Sequence, residues 1–395
     1  MPAVMKNILG SPVRRDDFLE RRAEIERLWW LVDRSSVLML APRRVGKTSL
    51  LFYLNDHPKQ GWRCLFCSVE PAASEAEFVA RLLARILELE PLGPWIRLKQ
   101  KLRDLVGELD SIKLGPVEIT QRIGNRWEEV GATIIHSIAK LDGKSLVLVD
   151  EFPIFIGQLL QQPEGARRTE HFMSWFRDVR NDPDLPYGAV RFILTGSIGL
   201  DAVVKQARIT STINDLVPFS LEPLTPELAD ELLRKLSEGE GVALDSELRS
   251  RVLSRLSWLI PFHIQLYFQI LAQRVLFQGR ELSPTLVDEV YDELLSSERR
   301  PHFEHWLERL DHPLAVPEKR DLQSAILESA AKDSRGVNMD SIRQLRAKLA
   351  PGVSEDSVLL SLERDGYLVR KENRWRFASL LLRDWWSKWV IKDPA

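Results

Sequence analysis

A short, fully apolar run, SVLML at 36–40, leads without a break into APRRVGKTSLL at 41–51. Five apolar or small residues in a row suit a strand buried on both faces, and SLLFYLN at 49–55 has helical character. The chain must therefore turn tightly from strand to helix through Gly46, Lys47 and Thr48. Four more continuous apolar runs follow: RCLFCSV (63–69), SLVLVD (145–150), VRFILTG (190–196) and DLVPFSL (215–221). Helix-like stretches separate them. One is SEAEFVARLLARILEL (74–89), with Ser74 placed as its cap and Glu77 three residues later. Buried strands alternating with helices predict an α/β fold, a parallel sheet covered on both faces.

The turn has the groups of a phosphate-binding loop, G-x-x-x-x-G-K-[ST], with Ala41 at the first glycine position. Alanine is small enough to close the turn leaving the strand unless positive φ is required there. The candidate nucleotide-binding residues are Ala41, Pro42, Arg43, Arg44, Val45, Gly46, Lys47, Thr48 and Ser49. Lys47 would neutralise the β and γ oxygens, the Thr48 hydroxyl would ligate Mg²⁺, and the helix N-terminus would face the same anion. In SLVLVDEF the buried strand ends in two carboxylates. Asp150 would hold the metal through water, and Glu151 would orient the attacking water for γ-phosphate hydrolysis. VRFILTGSIG ends in small polar residues, of which Thr195 or Ser197 would sit near the γ-phosphate; an ordinary strand-ending turn reads the same way. Ser197 joins Lys47 and Glu151 in the candidate catalytic set, with ATP and Mg²⁺ as ligands.

Composition bounds the partners. The chain has 395 residues, enough for two or three domains, and a formal net charge of −2. No global positive field draws it to nucleic acid, so such a contact needs a local patch. No apolar run approaches the ~20 residues that cross a bilayer. The N-terminus lacks the apolar core of a signal peptide, so the cytoplasm is the expected location. Cys64 and Cys67 have no second Cys/His cluster to complete a zinc site and read as packing residues of a strand. Trp29-Trp30 and Trp385-Trp386 with Trp389 read as core or interdomain packing rather than base-stacking platforms.

The sequence predicts an α/β domain over 1–221, a helical domain over 222–298, and a connector with a final domain over 299–395. An insertion-like region at about 91–125 contains SIKLGPVEIT (111–120), which suggests a small hairpin. LTPELADELLRKL begins with Thr225 as cap and Pro226 at the first helical position, and Ser283 with Pro284 repeats the device. Helices at 321–333, 339–349 and 354–366 precede a hairpin, YLVRKENRWRFAS (367–379), in winged-helix order. The third of these helices carries Glu355, Asp356, Glu363 and Asp365, which repel phosphates. The hairpin holds Arg370, Lys371, Arg374 and Arg376 around Trp375, which suits a DNA backbone or an ordinary solvated edge.

APRRVGKTSLL, LVLVDEF and ILTGSIG, in this order, resemble the archaeal-type P-loop ATPases, within the AAA+-related class that includes STAND ATPases and origin-recognition/Cdc6 proteins. FLERRAEIERL (18–28) is similar to that family's F-x-G-R-x-x-E-[IL] box, with Phe18, Arg21 and Glu24 matching and Glu20 in place of glycine. LIPFHIQL matches a G-x-P step through Pro261, with Leu259 at the glycine position. The resemblance implies a sheet ordered 5-1-4-3-2, a helical lid whose Pro261 lies against the base, a winged helix, and ATP with Mg²⁺. The sequence departs from the family in that no arginine finger or lid arginine can be placed in it, so hydrolysis without an arginine in trans is expected to be slow, which points to a switch; Arg208 is a candidate for sensing a neighbour's nucleotide or a surface charge. The expected partners are ATP and ADP, DNA through the hairpin, and a second copy or a partner protein, with no membrane. The alternative functions are a nucleotide-gated DNA-binding regulator and an ATPase scaffold of a defence or signalling assembly.

Overall fold

The computed structural model describes residues 4–89, 100, 102, 115–197, 210–310 and 317–391. They fall into two compact units, Glu20–Leu221, and Met1–Leu19 with Glu222–Ala395.

In the first unit the five apolar runs are strands: β1 (Val37–Ala41), β2 (Trp62–Ser68), β3 (Lys144–Asp150), β4 (Val190–Ser197) and β5 (Val217–Ser220). They pair in the order β2-β3-β4-β1-β5, all parallel, which is the 5-1-4-3-2 order expected. Ser145 to Asp150 of β3 are buried without a break, because helices cover both faces of the sheet. The register sets Met39 beside Thr195, Ala41 beside Ser197 and Ser68 beside Asp150, so the strands finish together at one end.

Among the described residues the helices of this unit are α1 (Arg22–Val32), α2 (Lys47–Asp56), α3 (Glu75–Glu88), α4 (Pro116–Ile123), α5 (Trp127–Ala139), α6 (Phe152–Leu160) and α7 (Gly165–Arg180). The cap of α3 is as expected: Ser74 Oγ accepts from Glu77 N, and Glu77 Oε2 accepts from Ala73 N. Phe78 on α3 meets Phe152, Phe155, Phe172 and Phe176 at ring separations of 5.0–6.3 Å. Each such buried ring contributes about 2–3 kcal/mol. The hairpin expected over 111–120 is corrected in its second half, where α4 begins with Gly115 as cap and Pro116 at the first position. Ile119 and Ile123, one helical turn apart, are both buried. Residues 111–114 lie outside the described residues.

The second unit carries the capped helices α8 (Pro226–Glu240), α9 (Ser246–Leu256), α10 (Pro261–Leu276) and α11 (Pro284–Leu294). Thr225 and Ser283 cap α8 and α11 by accepting from Leu228 N and Leu286 N. After α12 (Pro301–Leu310) come α13 (Pro317–Lys332), β6 (Val337–Asn338), α14 (Met339–Leu349), α15 (Glu355–Arg364), β7 (Leu368–Lys371), β8 (Arg374–Phe377) and α16 (Leu380–Trp389). The three strands form an antiparallel sheet in the order β6-β8-β7. One hydrophobic cluster runs from Leu224 through Trp306 to Trp385 and Trp386, so both helical sections share a core.

Residues 4–19, expected with the α/β domain, pack in this second unit instead. Met5 and Leu19 belong to its core, Asn7 Nδ2 donates to Gln265 O, and Gln265 Nε2 donates to Ile8 O. The segment crosses α8 at Gly239, where an added Cβ would lie 2.0 Å from Met5 O, so only glycine admits the crossing.

Candidate functional site

The loop of residues 42–46 leaves β1 and enters α2. Gly46 has φ 98°, which selects glycine by conformation alone, since an added Cβ would meet nothing within 4 Å. Ala41 ends β1 in its pairing with Ser197 and has no positive φ, so the missing glycine costs the turn nothing. A second left-handed position in the loop falls on Arg44, at φ 69°. Burial and the neighbouring Arg43 lower the Arg44 guanidinium to about 10, which leaves it charged at neutral pH.

Lys47 is buried, and its Nζ donates to Ala41 O at 2.9 Å and Pro42 O at 3.0 Å. These carbonyls hold the ammonium at the loop. Thr48 Oγ1 donates to Asp150 Oδ2 at 2.7 Å, and Thr195 Oγ1 donates to Asp150 Oδ1 at 2.5 Å. Glu151 N gives Asp150 Oδ1 a third hydrogen bond at 3.1 Å. A carboxylate only 3% exposed needs such partners, and the first turn of α2, strand β4 and the residue after β3 supply them. Oxygen donors from Thr48 and Asp150 are the set that suits a hard cation such as Mg²⁺.

Glu151 caps α6 with φ 57° and ψ 37°, a left-handed conformation that costs a non-glycine residue about 1–2 kcal/mol. The neighbouring strand is shaped to receive α6. A Cβ on Gly196 would lie 2.1 Å from Pro153 Cδ, so a side chain there would push away the helix that Glu151 begins.

The sequence left Thr195 and Ser197 open. Thr195, fully buried, touches Asp150. Ser197 stands level with Ala41 by its backbone, and its side chain lies outside the described residues, as does all of Arg208. Pro261 opens α10 of the second unit. The Glu20 that replaces a glycine accepts from Tyr53 Oη of α2 at 2.9 Å. Arg21, 3% exposed, forks onto Glu24 Oε1 and reaches Val45 O of the loop at 3.4 Å. Sequence reasoning missed Tyr53 and the packing role of Gly196; a glycine between polar residues at a strand end was the available signal for the second.

Arg21→Ala is expected to destabilise the unit by about 2–3 kcal/mol in urea unfolding, because it leaves Glu24 partly buried without its fork. Arg21→Lys should recover less than half of that, lacking the planar guanidinium. An unchanged unfolding midpoint for Arg21→Ala would show that the tie carries no load.

The two cysteines lie on β2, Cys67 buried and Cys64 half-buried, both free. Burial raises both thiols to about 12, so they stay protonated and poorly nucleophilic at neutral pH. Among the described residues no group of three or more His, Cys, Asp or Glu could hold a metal, and no helix is long and apolar enough to cross a membrane.

No family model matches the chain, and no curated protein does. Solved structures do resemble it. The Walker-type ATPase PABY2304 of Pyrococcus abyssi superposes with a TM-score of 0.61 at 18% identity, covering 96% of this chain and 99% of that one. The ORC2 protein of Aeropyrum pernix, in ADPNP–ADP complexes, gives 0.47 at 12% identity, covering 96% and 97%. The ORC1 protein of the same organism, in complex with DNA, gives 0.41 at 14% identity, covering 95% and 94%. The chain has the P-loop ATPase fold of the Pyrococcus protein.

Proposed function

We propose that the α/β unit binds ATP with Mg²⁺ and hydrolyses it slowly, as a nucleotide-controlled switch. The observation that carries this is the meeting of Lys47, Thr48, Asp150 and Thr195 at the ends of β1, β3 and β4, with Glu151 one residue beyond. The shared fold with a Walker-type ATPase supports the same reading. The loop from Ala41 to Ser49 receives the phosphates, Lys47 neutralises their outer oxygens, and Glu151 orients and polarises the attacking water. Thr48 and Asp150 hold Mg²⁺, which when bound supplies positive charge against the phosphate oxygens. Thr195 fixes the Asp150 carboxylate, and Ser197, next to Ala41 in register, contacts the γ-phosphate end. Pro261 serves as the base contact of the helical lid.

Turnover in the isolated chain is slow because an arginine supplied by a neighbour is worth roughly 10³–10⁵ in rate. The readout is the second unit, through its hairpin, to DNA or to a partner protein. Two hairpin bases already have work within the unit: Arg374 bonds Asp333 and Gly336 O, and Arg376 bonds Arg335 O. Arg370 and Lys371 are exposed. On α15, Glu355 lies 3.6 Å from Arg343 and 3.4 Å from Arg346, which softens its acidic face.

The test is Mg²⁺-dependent ATP turnover across a range of protein concentrations, with and without duplex DNA. Slow basal turnover that rises with concentration or with DNA is expected. No turnover under any of these conditions would leave a nucleotide-binding module without catalysis. Reversing Arg370 and Lys371 to glutamate should weaken DNA binding and flatten its salt dependence; unchanged DNA binding would assign the hairpin to protein contact.

A further inference from the structure

The tryptophan pair at the end of α1 divides its labour. Trp29 is buried against Trp62 at 5.8 Å, whereas Trp30 is 56% exposed, which corrects the expectation that both are packing residues. Arg34 stacks over the Trp30 ring at 4.1 Å and donates from Nη1 to Trp30 O at 2.6 Å. Beside it, Arg191 stacks over Tyr187 at 4.9 Å, and Tyr187 is 87% exposed. One carbonyl joins the two pairs: Arg34 O accepts from Tyr187 Oη at 3.3 Å and from Arg191 Nη2 at 3.0 Å. The turn between them needs Gly188 at φ 73°, with the Arg191 guanidinium 3.3 Å from where a Cβ would stand.

A lone exposed aromatic is ordinary. Two rings and two guanidinium planes locked into one patch are a built surface. Among the described residues neither Arg34 nor Arg191 has a carboxylate partner, and the adjacent Asp33 gives its carboxylate to Lys59 at 2.6 Å. The patch lies where β1 and β4 begin, at the opposite end of the sheet from the phosphate loop, ~16 Å away along β1. The only other exposed large apolar side chain among the described residues of this unit is Val117. Flat rings set beside guanidinium groups are the combination with which proteins hold single-stranded nucleic acid.

We infer that Trp30, Arg34, Tyr187 and Arg191 form a docking surface for single-stranded nucleic acid. The open faces of the rings take bases by stacking, and the two guanidinium groups take phosphates. In a chain of net charge −2 this is a local patch of unneutralised positive charge coupled to flat rings.

The test uses the full chain and a fluorescein-labelled thymidine oligonucleotide of about a dozen residues, read by anisotropy at low salt. Trp30→Ala with Tyr187→Ala should weaken binding at least about tenfold with the salt slope unchanged. Arg34→Ala with Arg191→Ala should weaken it and reduce the slope by about 1.4, the share of two phosphates on a single strand. Tyr187→Phe, which keeps the ring, should bind like the parent chain. Melting temperature and ATP binding report folding, since none of the four residues belongs to the phosphate site. The inference fails if the parent chain does not bind, or if only reversal of Arg370 and Lys371 removes binding. It also fails if polyglutamate of equal charge competes as well as the oligonucleotide, which would assign the patch to an acidic protein.

Discussion

Lys47→Ala is expected to remove measurable ATP binding, with affinity falling by at least about a hundredfold. The ammonium is placed at the loop by Ala41 O and Pro42 O, and charge-assisted bonds to phosphate are worth about 1.5–3 kcal/mol each. More than one such bond is lost together with the charge itself. The fold should survive. Taking out a buried cation recovers its desolvation cost and offsets the two lost carbonyl bonds, so stability should move by only about 1 kcal/mol. Lys47→Met separates the remaining possibilities, because it keeps the aliphatic stem and deletes only the ammonium. Titration with a fluorescent ATP analogue reads both variants. Retained affinity in Lys47→Met would show that the loop binds phosphate by backbone alone, and retained affinity in both would end the phosphate-loop reading.

The second large effect is on rate. Glu151→Gln should hold ATP affinity within about threefold and lower turnover at least about a hundredfold, the contribution typical of a positioned base. Glutamine has the same shape and tolerates the φ of 57° no better or worse, so the comparison isolates charge. Glu151→Gly makes the complementary test. It should be equally inactive but more stable by about 0.5–1 kcal/mol, the left-handed cost less the extra chain entropy of glycine. A less stable Glu151→Gly would mean that the side chain, and not the surrounding packing, holds the backbone there. Turnover that continues in Glu151→Gln would take this residue out of the mechanism.

The legibility of the sequence followed the range of the forces involved. Strands buried on both faces announce themselves as unbroken apolar runs, so SLVLVD and VRFILTG were readable without a partner in sight. The strand order came with the resemblance and not from periodicity. Caps at Ser74, Thr225 and Ser283 are local and were visible for that reason. The chemistry at Lys47, Thr48, Asp150 and Glu151 is carried by residue type and position. Contacts across the sheet are another matter. Thr195 reaches Asp150 because of register, and Gly196 is small because Pro153 arrives beside it from 43 positions earlier in the chain. Period-two alternation around Gly115-Pro116 misled, since the same residues place Ile119 and Ile123 on one face of a helix. Trp30 faces water while Trp29 is buried because adjacent helical positions point about 100° apart, and composition does not say which of the two is exposed.

The crossing of residues 5–8 over α8 sets an order of assembly. Their partners are remote: Asn7 N donates to Glu240 across 233 positions, and Ile8 O accepts from Gln265 across 257. During synthesis at roughly 5–20 residues per second, this segment waits for tens of seconds before α8 and α10 exist. The whole of Glu20–Leu221 emerges in the interval and can collapse around its own sheet first. In sequence the α/β unit is therefore an insertion between two parts of the second unit, and residues 5–8 are the last of that unit to find their partners. Folding of the two units should separate in time, the seam at Gly239 closing last, and Gly239→Ala should slow that final phase while the sheet forms at its usual rate.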